Sequence, residues 1–465
     1  MKKVALLVCI LICMYHPIAA QFDSANTLTV TAFIQKVKQH HPFVKLANLQ
    51  VDKANAALLA AKGGFDPVFE FQLDNKTFDK KNYYTYSNAE VKIPLFIGDI
   101  KTGVENNGGR FLNSEITSGR SSYLGLEVPI AKGLLIDRRR ATLQQAKIGL
   151  LLNASERNII TNDLLLDAYV SYYQWAGAYQ LVNVFNKYTE VSKARLQLVK
   201  ILNANGDRAL MDTIEAYTQL QNFQLMQASA LIDYNTTTNY LNNFIWDGNN
   251  TPQQLTPNTV PDTILVSNLI GQQKLQSFIE NSVNRNPILV QYKYKLQTLE
   301  VERKLKYQSL LPTVNLRGNL LNKDFNVLKG LGNTLLENNN KWGINIKIPL
   351  RFREGRGEYQ LAKIKIKETI LLQIQKQQEL ENKVKDYYNQ FLLLQTQLST
   401  ANEALYNYNR LLSNEILRFN NGESSLFLVN TRENKVLEIQ QKIIEIKVKL
   451  LKATYNLDWA AGIIF

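Results

Sequence analysis

The sequence predicts a mainly α-helical chain with transmembrane β-strands, a duplicated repeat whose long antiparallel helices wind as coiled coils. Three observations carry this. The first is a heptad seam: from Leu380 the apolar side chains fall at Leu380, Val384, Tyr387, Phe391, Leu394, Leu398, Ala401, Leu405, Tyr408 and Leu412, in steps of four and three. No proline or glycine interrupts it, and a sustained seam winds helix against helix. The chain breaks at Asn420-Asn421-Gly422 and resumes with Val436, Ile439, Ile443, Ile446, Leu450, Ala453 and Leu457. Helix over Gly357–Phe419 would reach roughly 95 Å at 1.5 Å per residue. The second observation is that this plan occurs twice, and the third is a set of runs that alternate apolar and polar residues.

In chain order, Met1 to Ala20 reads as a secretory signal peptide: Lys2 and Lys3, an apolar run from Val4 to Met14, then Ile18-Ala19-Ala20 before Gln21. The apolar run is shorter than the ~20 residues that span a bilayer. Both cysteines, Cys9 and Cys13, lie inside it, so the mature chain has no thiol for a disulfide or a metal site. The formal charge of +14 falls to +12 without Lys2 and Lys3. The basic residues are spread among glutamines and asparagines, which fits solvated helix faces with some attraction to anionic lipid, not a nucleic-acid footprint.

The duplication is read from constant offsets. Phe33-Ile34, Pro42 and Pro67 recur 245 residues on as Phe278-Ile279, Pro287 and Pro312. Gln144, Ala146-Lys147-Ile148, Tyr172, Asn186, Leu196, Asn205-Gly206 and Leu241 recur 216 residues on, ending at Asn421-Gly422 and Leu457. The first repeat spans 21–246, with strands at about 66–131 and a hairpin tip near 203–208. An extended connector, 247–273, contains Pro252, Pro257 and Pro261. The second repeat spans 274–465, with strands at about 312–352 and a tip near 420–425. Each repeat opens a helix at a proline (His41-Pro42, Asn286-Pro287), ends it at Pro67 or Pro312, passes through strands and enters a long helical hairpin. Helices are expected at Ala141–Leu202, Ala209–Leu241, Gly357–Phe419 and Leu426–Leu457.

The strand runs are Phe69, Phe71 and Leu73; Leu124, Leu126, Val128 and Ile130; Val314, Leu316 and Leu320; and Ile344, Ile346, Ile348 and Leu350, each alternating with polar residues. The drop in offset leaves 29 extra residues in the first repeat, around Asn75 to Arg120. There Ala89, Val91, Ile93 and Leu95, then Ile100 and Val104 after Gly98-Asp99, predict one more hairpin. It stands either as an extracellular flap or in the wall, and the apolar faces favour the wall. A soluble sheet would need a cover for its apolar side, but the helices are occupied by their own seams. A barrel, apolar to lipid and polar to water, needs none. Four strands are too few to enclose a lumen, so several chains would pool theirs. Tyr83, Tyr84, Tyr86, Tyr123 and Trp342 near strand ends are candidates for an interfacial girdle or for ordinary packing, and the terminal Phe465 is compatible with barrel export.

These residues resemble the TolC-type outer-membrane efflux protein family over about residues 28 to 465. The resemblance rests on the duplication, Asn286-Pro287, Leu311-Pro312, Ile348-Pro349-Leu350-Arg351-Phe352 with Gly355-Arg356, and the tips Asn205-Gly206-Asp207 and Asn421-Gly422-Glu423. It implies a homotrimer in the outer membrane of a Gram-negative bacterium, a β-barrel pore continued by a helical barrel across the periplasm. The tips would dock a periplasmic adaptor joined to an inner-membrane transporter. The family often has acidic residues six and nine positions after the second tip glycine. Here those are Leu428 and Thr431, and the first-repeat equivalents Asp212 and Glu215 are the candidates for a gate or cation ring, or simply for favouring a helix N-terminus. No phosphate loop, nucleophile elbow or metal motif is present, and adjacent His40 and His41 point apart. The expected function is an exit duct for efflux or type I secretion with no catalysis and no cofactor. A periplasmic coiled-coil scaffold or adaptor is the rival.

Overall fold

A computed structural model describes residues 26–113, 115–256, 258–262, 275–325 and 339–464. The expected signal peptide and Phe465 lie outside the described residues. The chain divides into two compact units: Met1–His41, Asp167–Leu269 and Gln390–Thr454 form one, and Pro42–Leu166, Ile270–Asn389 and Tyr455–Phe465 the other.

The second of these holds a six-stranded antiparallel sheet. Its strands are β2 (Val68–Phe78), β3 (Lys81–Pro94), β4 (Asp99–Gly108), β5 (Gly119–Pro129), β7 (Thr313–Lys323) and β8 (Asn340–Lys347), in the order β2-β3-β4-β5-β7-β8. The extra hairpin is therefore part of the sheet and not a separate flap: β3 pairs with β2 and β4 with β5 along their lengths. Its turn closes with Leu95 N–H donating to the Gly98 carbonyl at 2.9 Å. Gly98 has φ +83°, and a Cβ there would stand 2.3 Å from the Glu127 carbonyl oxygen, so the position requires glycine. Pro94 is tolerated because it is the last residue of β3.

Register puts like with like. Phe71 faces Ala89, Ala89 faces Val104, Thr102 faces Leu124, and Leu124 faces Leu320. Every apolar run thus shares one face, since side chains alternate with period two. β8 stops at Lys347, opposite Thr313 where β7 begins. Ile348 and Leu350 continue the sequence alternation but not the strand, because Pro349 has no N–H for the ladder.

Helices flank this sheet. α2 (Pro42–Lys62) and α6 (Pro287–Tyr307) each end in a short 3-10 turn ahead of Pro67 or Pro312. Asn286 caps α6: its side chain accepts from Ile288 N–H at 3.0 Å and donates to the Ala460 carbonyl at 2.9 Å. α3 (Arg138–Ala204) packs Ala141 against Val301 of α6. α7 (Arg353–Asn420) joins α6 through Lys306–Glu358 at 2.9 Å and Lys365–Glu302 at 3.1 Å. α5 (Leu275–Asn284) packs Phe278 against Val384 and Leu457.

The other unit holds the antiparallel hairpins, made by α3 with α4 (Leu210–Asn242) and α7 with α8 (Leu426–Ala461). Ala401 meets Ile443 and Ile446, with Leu394, Leu398, Leu405 and Ile439 packed around them. Leu196 and Val199 meet Ala216 and Leu220. Each fully buried seam side chain contributes about 1.5–3 kcal/mol.

Two features fall outside the sequence expectations. The connector is not simply extended: its β6 (Thr259–Pro261) pairs in parallel with β1 (Asn26–Leu28). The Tyr172 hydroxyl seals this ribbon, donating to the Leu28 carbonyl at 2.7 Å and accepting from Asp262 N–H at 3.2 Å. A separate helix, α1 (Val30–His40), also precedes Pro42 and stacks Phe33 on Tyr172. Among the described residues, no helix is long and apolar enough to cross a membrane.

Candidate functional site

Two features carry the functional argument, one in each unit: the hairpin tips and the two faces of the sheet.

Both tips are built by the same backbone device. At the first, Asp207 N–H donates to the Leu202 carbonyl at 2.9 Å and Gly206 N–H to Asn203 at 3.0 Å. At the second, Glu423 N–H donates to Arg418 at 2.8 Å and Gly422 N–H to Phe419 at 3.1 Å. These are Schellman closures, which place the glycine in the left-handed region, and Gly206 and Gly422 have φ +83° and +79°. Asn205, Gly206, Asp207, Asn421, Gly422 and Glu423 are all exposed.

The tips are fastened to one another. Arg208 lies 4.1 Å from the centre of the Phe419 ring and donates to the Phe419 carbonyl at 3.1 Å. Further along, Arg195 of α3 grips Glu433 of α8 with two bonds of 2.7 Å and reaches Asn430 at 3.2 Å. Asn430 in turn donates to Glu215 at 3.1 Å, and Gln219 donates to Asn434 at 2.7 Å. Glu433 is only 4% exposed. A bidentate, desolvated pair is strongly directional and costly to break on one side.

The candidate gate residues therefore differ in their engagement. Glu215 is half-buried and its carboxylate accepts from Asn430 of the second hairpin. Asp212 is half-buried in the first turn of α4, where a negative charge meets the positive end of the helix dipole. Thr431, the counterpart of Glu215, turns its hydroxyl to the Phe427 carbonyl at 2.8 Å. Sequence reasoning missed the Arg195–Glu433 clasp, because no local pattern marks a pair 238 residues apart.

The sheet is two-faced. Phe69, Phe71, Leu73, Trp342, Ile344 and Ile346 are exposed on the apolar face. The opposite face carries Lys101–Glu127 at 3.1 Å and Lys92–Asp99 at 3.0 Å, with Arg139 donating to Asp99 at 2.7 Å. Tyr123 is not a girdle residue: it is buried on this polar face and its hydroxyl donates to Glu90 at 2.7 Å. Its odd number, in phase with Glu127 rather than with Leu124, is the signal for that. Tyr84 and Tyr86 stack on each other at 4.5 Å. Tyr83 instead joins Phe78 and Phe111 in an aromatic cluster, and Trp342 is 75% exposed on the apolar face. In the hairpin unit, His41 is buried against Phe244 and Trp246, and burial pushes its pKa below the ordinary imidazole value.

Taken together, a two-faced antiparallel sheet and long helical hairpins define the fold of this chain. Solved channels share it. The Campylobacter jejuni CmeC outer membrane channel aligns at 14% identity over 94% of this chain and 86% of its own, with a TM-score of 0.64. The outer membrane protein VceC of Vibrio cholerae aligns at 14% identity over 93% and 96%, TM-score 0.64. The Neisseria gonorrhoeae MtrE outer membrane channel in its open state aligns at 12% over 93% and 88%, TM-score 0.65. Residues 278–462 match the model of the outer membrane efflux protein family. The resemblance to TolC-type efflux proteins thus has a family-model match on the second repeat and a shared fold along the chain. No curated protein sequence matches the chain significantly.

Proposed function

We propose that the chain is one third of a homotrimeric outer-membrane exit duct for efflux or type I secretion, without catalysis or cofactor of its own. The observation that carries this is the open sheet. β2 and β8 are its edges, and neither has a second neighbour among the described residues. One face is apolar and exposed, the other polar and charged. Open edges of a membrane sheet must be paired, since bilayer core offers no water to their backbone groups. Head-to-tail joining of β8 to β2 satisfies both edges by a rotation that closes. Three copies make eighteen strands, a size that leaves an aqueous lumen.

In this reading outer-membrane lipid covers the apolar face. The exposed tips Asn205-Gly206-Asp207 and Asn421-Gly422-Glu423 meet a periplasmic adaptor, which connects to an inner-membrane transporter. Asp212 and Glu215 form the carboxylate ring at the entrance, and the Arg195–Glu433 clasp holds the hairpins in the closed arrangement. Native mass measurement of the detergent-purified mature chain, together with planar-bilayer recording, tests this. A trimer that conducts supports the duct. A water-soluble monomer that conducts nothing overturns it and returns the chain to the scaffold reading.

A further inference from the structure

At the end of the sheet from which the long helices leave, β5 turns into α3 through Lys132 to Asp137. A cavity of about 520 Å³ opens between this corner, α6 and α7. Its lining combines apolar and cationic side chains with the amides of Gln144 and Gln308. Leu135, Ile136, Tyr307 and Tyr359 are apolar or aromatic, and Arg303 and Lys304 are cationic. Among the described residues, no carboxylate lines it.

The lip is held open by the build of the corner. Buried Arg140 donates to the carbonyls of Leu134 at 2.9 Å and Leu135 at 3.2 Å, and also to that of Gly133. Gly133 N–H donates to the Gln308 side chain at 3.1 Å. Leu135 is thereby fixed in place while 77% exposed. The tyrosine rings meet at 5.7 Å in a T-shape, and Lys363 Nζ stands 5.6 Å from the centre of Tyr359.

The cations are under-used. Arg303 meets Glu300 through one terminal nitrogen, but its Nε is shut off from water with no acceptor. Lys304 is exposed and has no carboxylate partner among the described residues. Apolar side chains continue to this level: Ile130, Leu134, Ile348 and Leu350 are all exposed, Leu350 at 98%. Tyr307 precedes Val314, the first apolar-face residue of β7, by seven positions. Paired tyrosines and long cations beside an apolar band are what a bilayer interface selects.

We propose that this cavity binds the phosphodiester headgroup of an anionic membrane glycerophospholipid, its phosphate facing Arg303 and Lys304 and its first acyl carbons lying over Leu135 and Tyr307. The proposal rests on the outer-membrane reading above. The Arg303 guanidinium lines the cavity and suits phosphate oxygens, and Lys304 adds a mobile point charge.

The test uses the full mature chain, delipidated in detergent and titrated with phosphatidylglycerol while bound lipid is counted by native mass. Arg303→Gln with Lys304→Gln is expected to weaken phosphatidylglycerol binding by roughly thirtyfold, the effect of two interfacial cations. Oligomeric state and planar-bilayer conductance should not change. Equal lipid retention in the double variant overturns the site. Inorganic phosphate displacing the lipid at comparable concentration overturns it in favour of a free-anion site. Loss of the oligomer without loss of lipid overturns it in favour of a second copy covering the cavity. Conductance read from the same sample separates the two failures, because a non-conducting wild type refutes the duct, whereas a conducting one with unchanged lipid binding refutes only the site.

Discussion

Gly206 and Gly422 stand 216 residues apart, one in each repeat, and each closes its helix with the same two backbone bonds. The side chains around them are not alike. Asp212 and Glu215 of the first repeat correspond to Leu428 and Thr431 of the second. Arg195 corresponds to Leu411, and its partner Glu433 to Tyr217, so the clasp joins two positions that have no charged counterpart. Near the far end of the hairpins, Asn242 accepts from Leu255 N–H at 3.0 Å. Its counterpart is Asp458, whose carboxyl burial pushes up to about 6. Duplication has preserved what the backbone needs and released what the side chains say.

The largest test of that division is Arg195→Ala. It strands the buried Glu433 carboxylate and should cost about 3–5 kcal/mol, while Arg195→Met with Glu433→Leu should be far milder. Thermal unfolding in detergent reads the difference, and equal losses would mean that packing, not charge, fastens the repeats. Conductance of Arg195→Ala should rise, since the clasp no longer holds the hairpins.

Next in size is Asp458. Its folded pKa of about 6 lies above the unfolded value near 3.9. The neutral carboxyl is therefore the favoured form in the fold. The stability it contributes is complete below about pH 4 and is lost as pH rises through 6, by at most about 3 kcal/mol. Melting temperatures of Asp458→Asn should decline less than those of the parent between pH 4 and 7. Parallel curves would show that the carboxyl is well solvated.

Smaller still, Gly206→Ala and Gly422→Ala should each cost about 1 kcal/mol, and the same in both repeats, because both force a Cβ into the left-handed region. A clear inequality between the two would break the claim of a shared turn. Smallest in stability is Asp212→Ala, roughly 0.3–1 kcal/mol for a charge at a helix N-terminus; in the double variant Glu215→Ala adds about 1 kcal/mol for the Asn430 amide it leaves unpaired. Here conductance decides. If the two carboxylates form the proposed ring, its loss in the double variant should raise single-channel conductance and relieve block by divalent cations, and no change in either would leave these residues as helix caps and hydrogen-bond partners.

What is legible in the sequence follows the range of the interactions. The heptad seams, the strand faces and the glycine turns are local patterns of period seven, two and one, and all of them stand in the structure. The extra hairpin is legible for the same reason, since Val91 and Ile93 alternate in phase with the strands they join. The β1–β6 ribbon is not, because three-residue strands have too few positions to show a period. Nor is the clasp, because Arg195 and Glu433 look like any two charges on helix surfaces until the hairpins are laid together. The end of β8 misleads, because Ile348 and Leu350 carry the alternation past a proline that outranks them.

If the proposed trimeric duct is the assembly, the two open edges of the sheet have a genetic consequence. In a ring closed head to tail, each protomer owns half of two seams, β2 in one and β8 in the other. A copy with a spoiled β2 edge can still dock through its β8, and it then leaves the ring unclosed. Such an allele would be dominant over a normal one. If a fraction f of protomers is sound and assembly is random, intact ducts fall as the cube of f, so an equal mixture leaves one in eight. The same arithmetic would not hold for a channel whose pore lies within a single chain, and co-expression at graded ratios would separate the two kinds by the exponent alone.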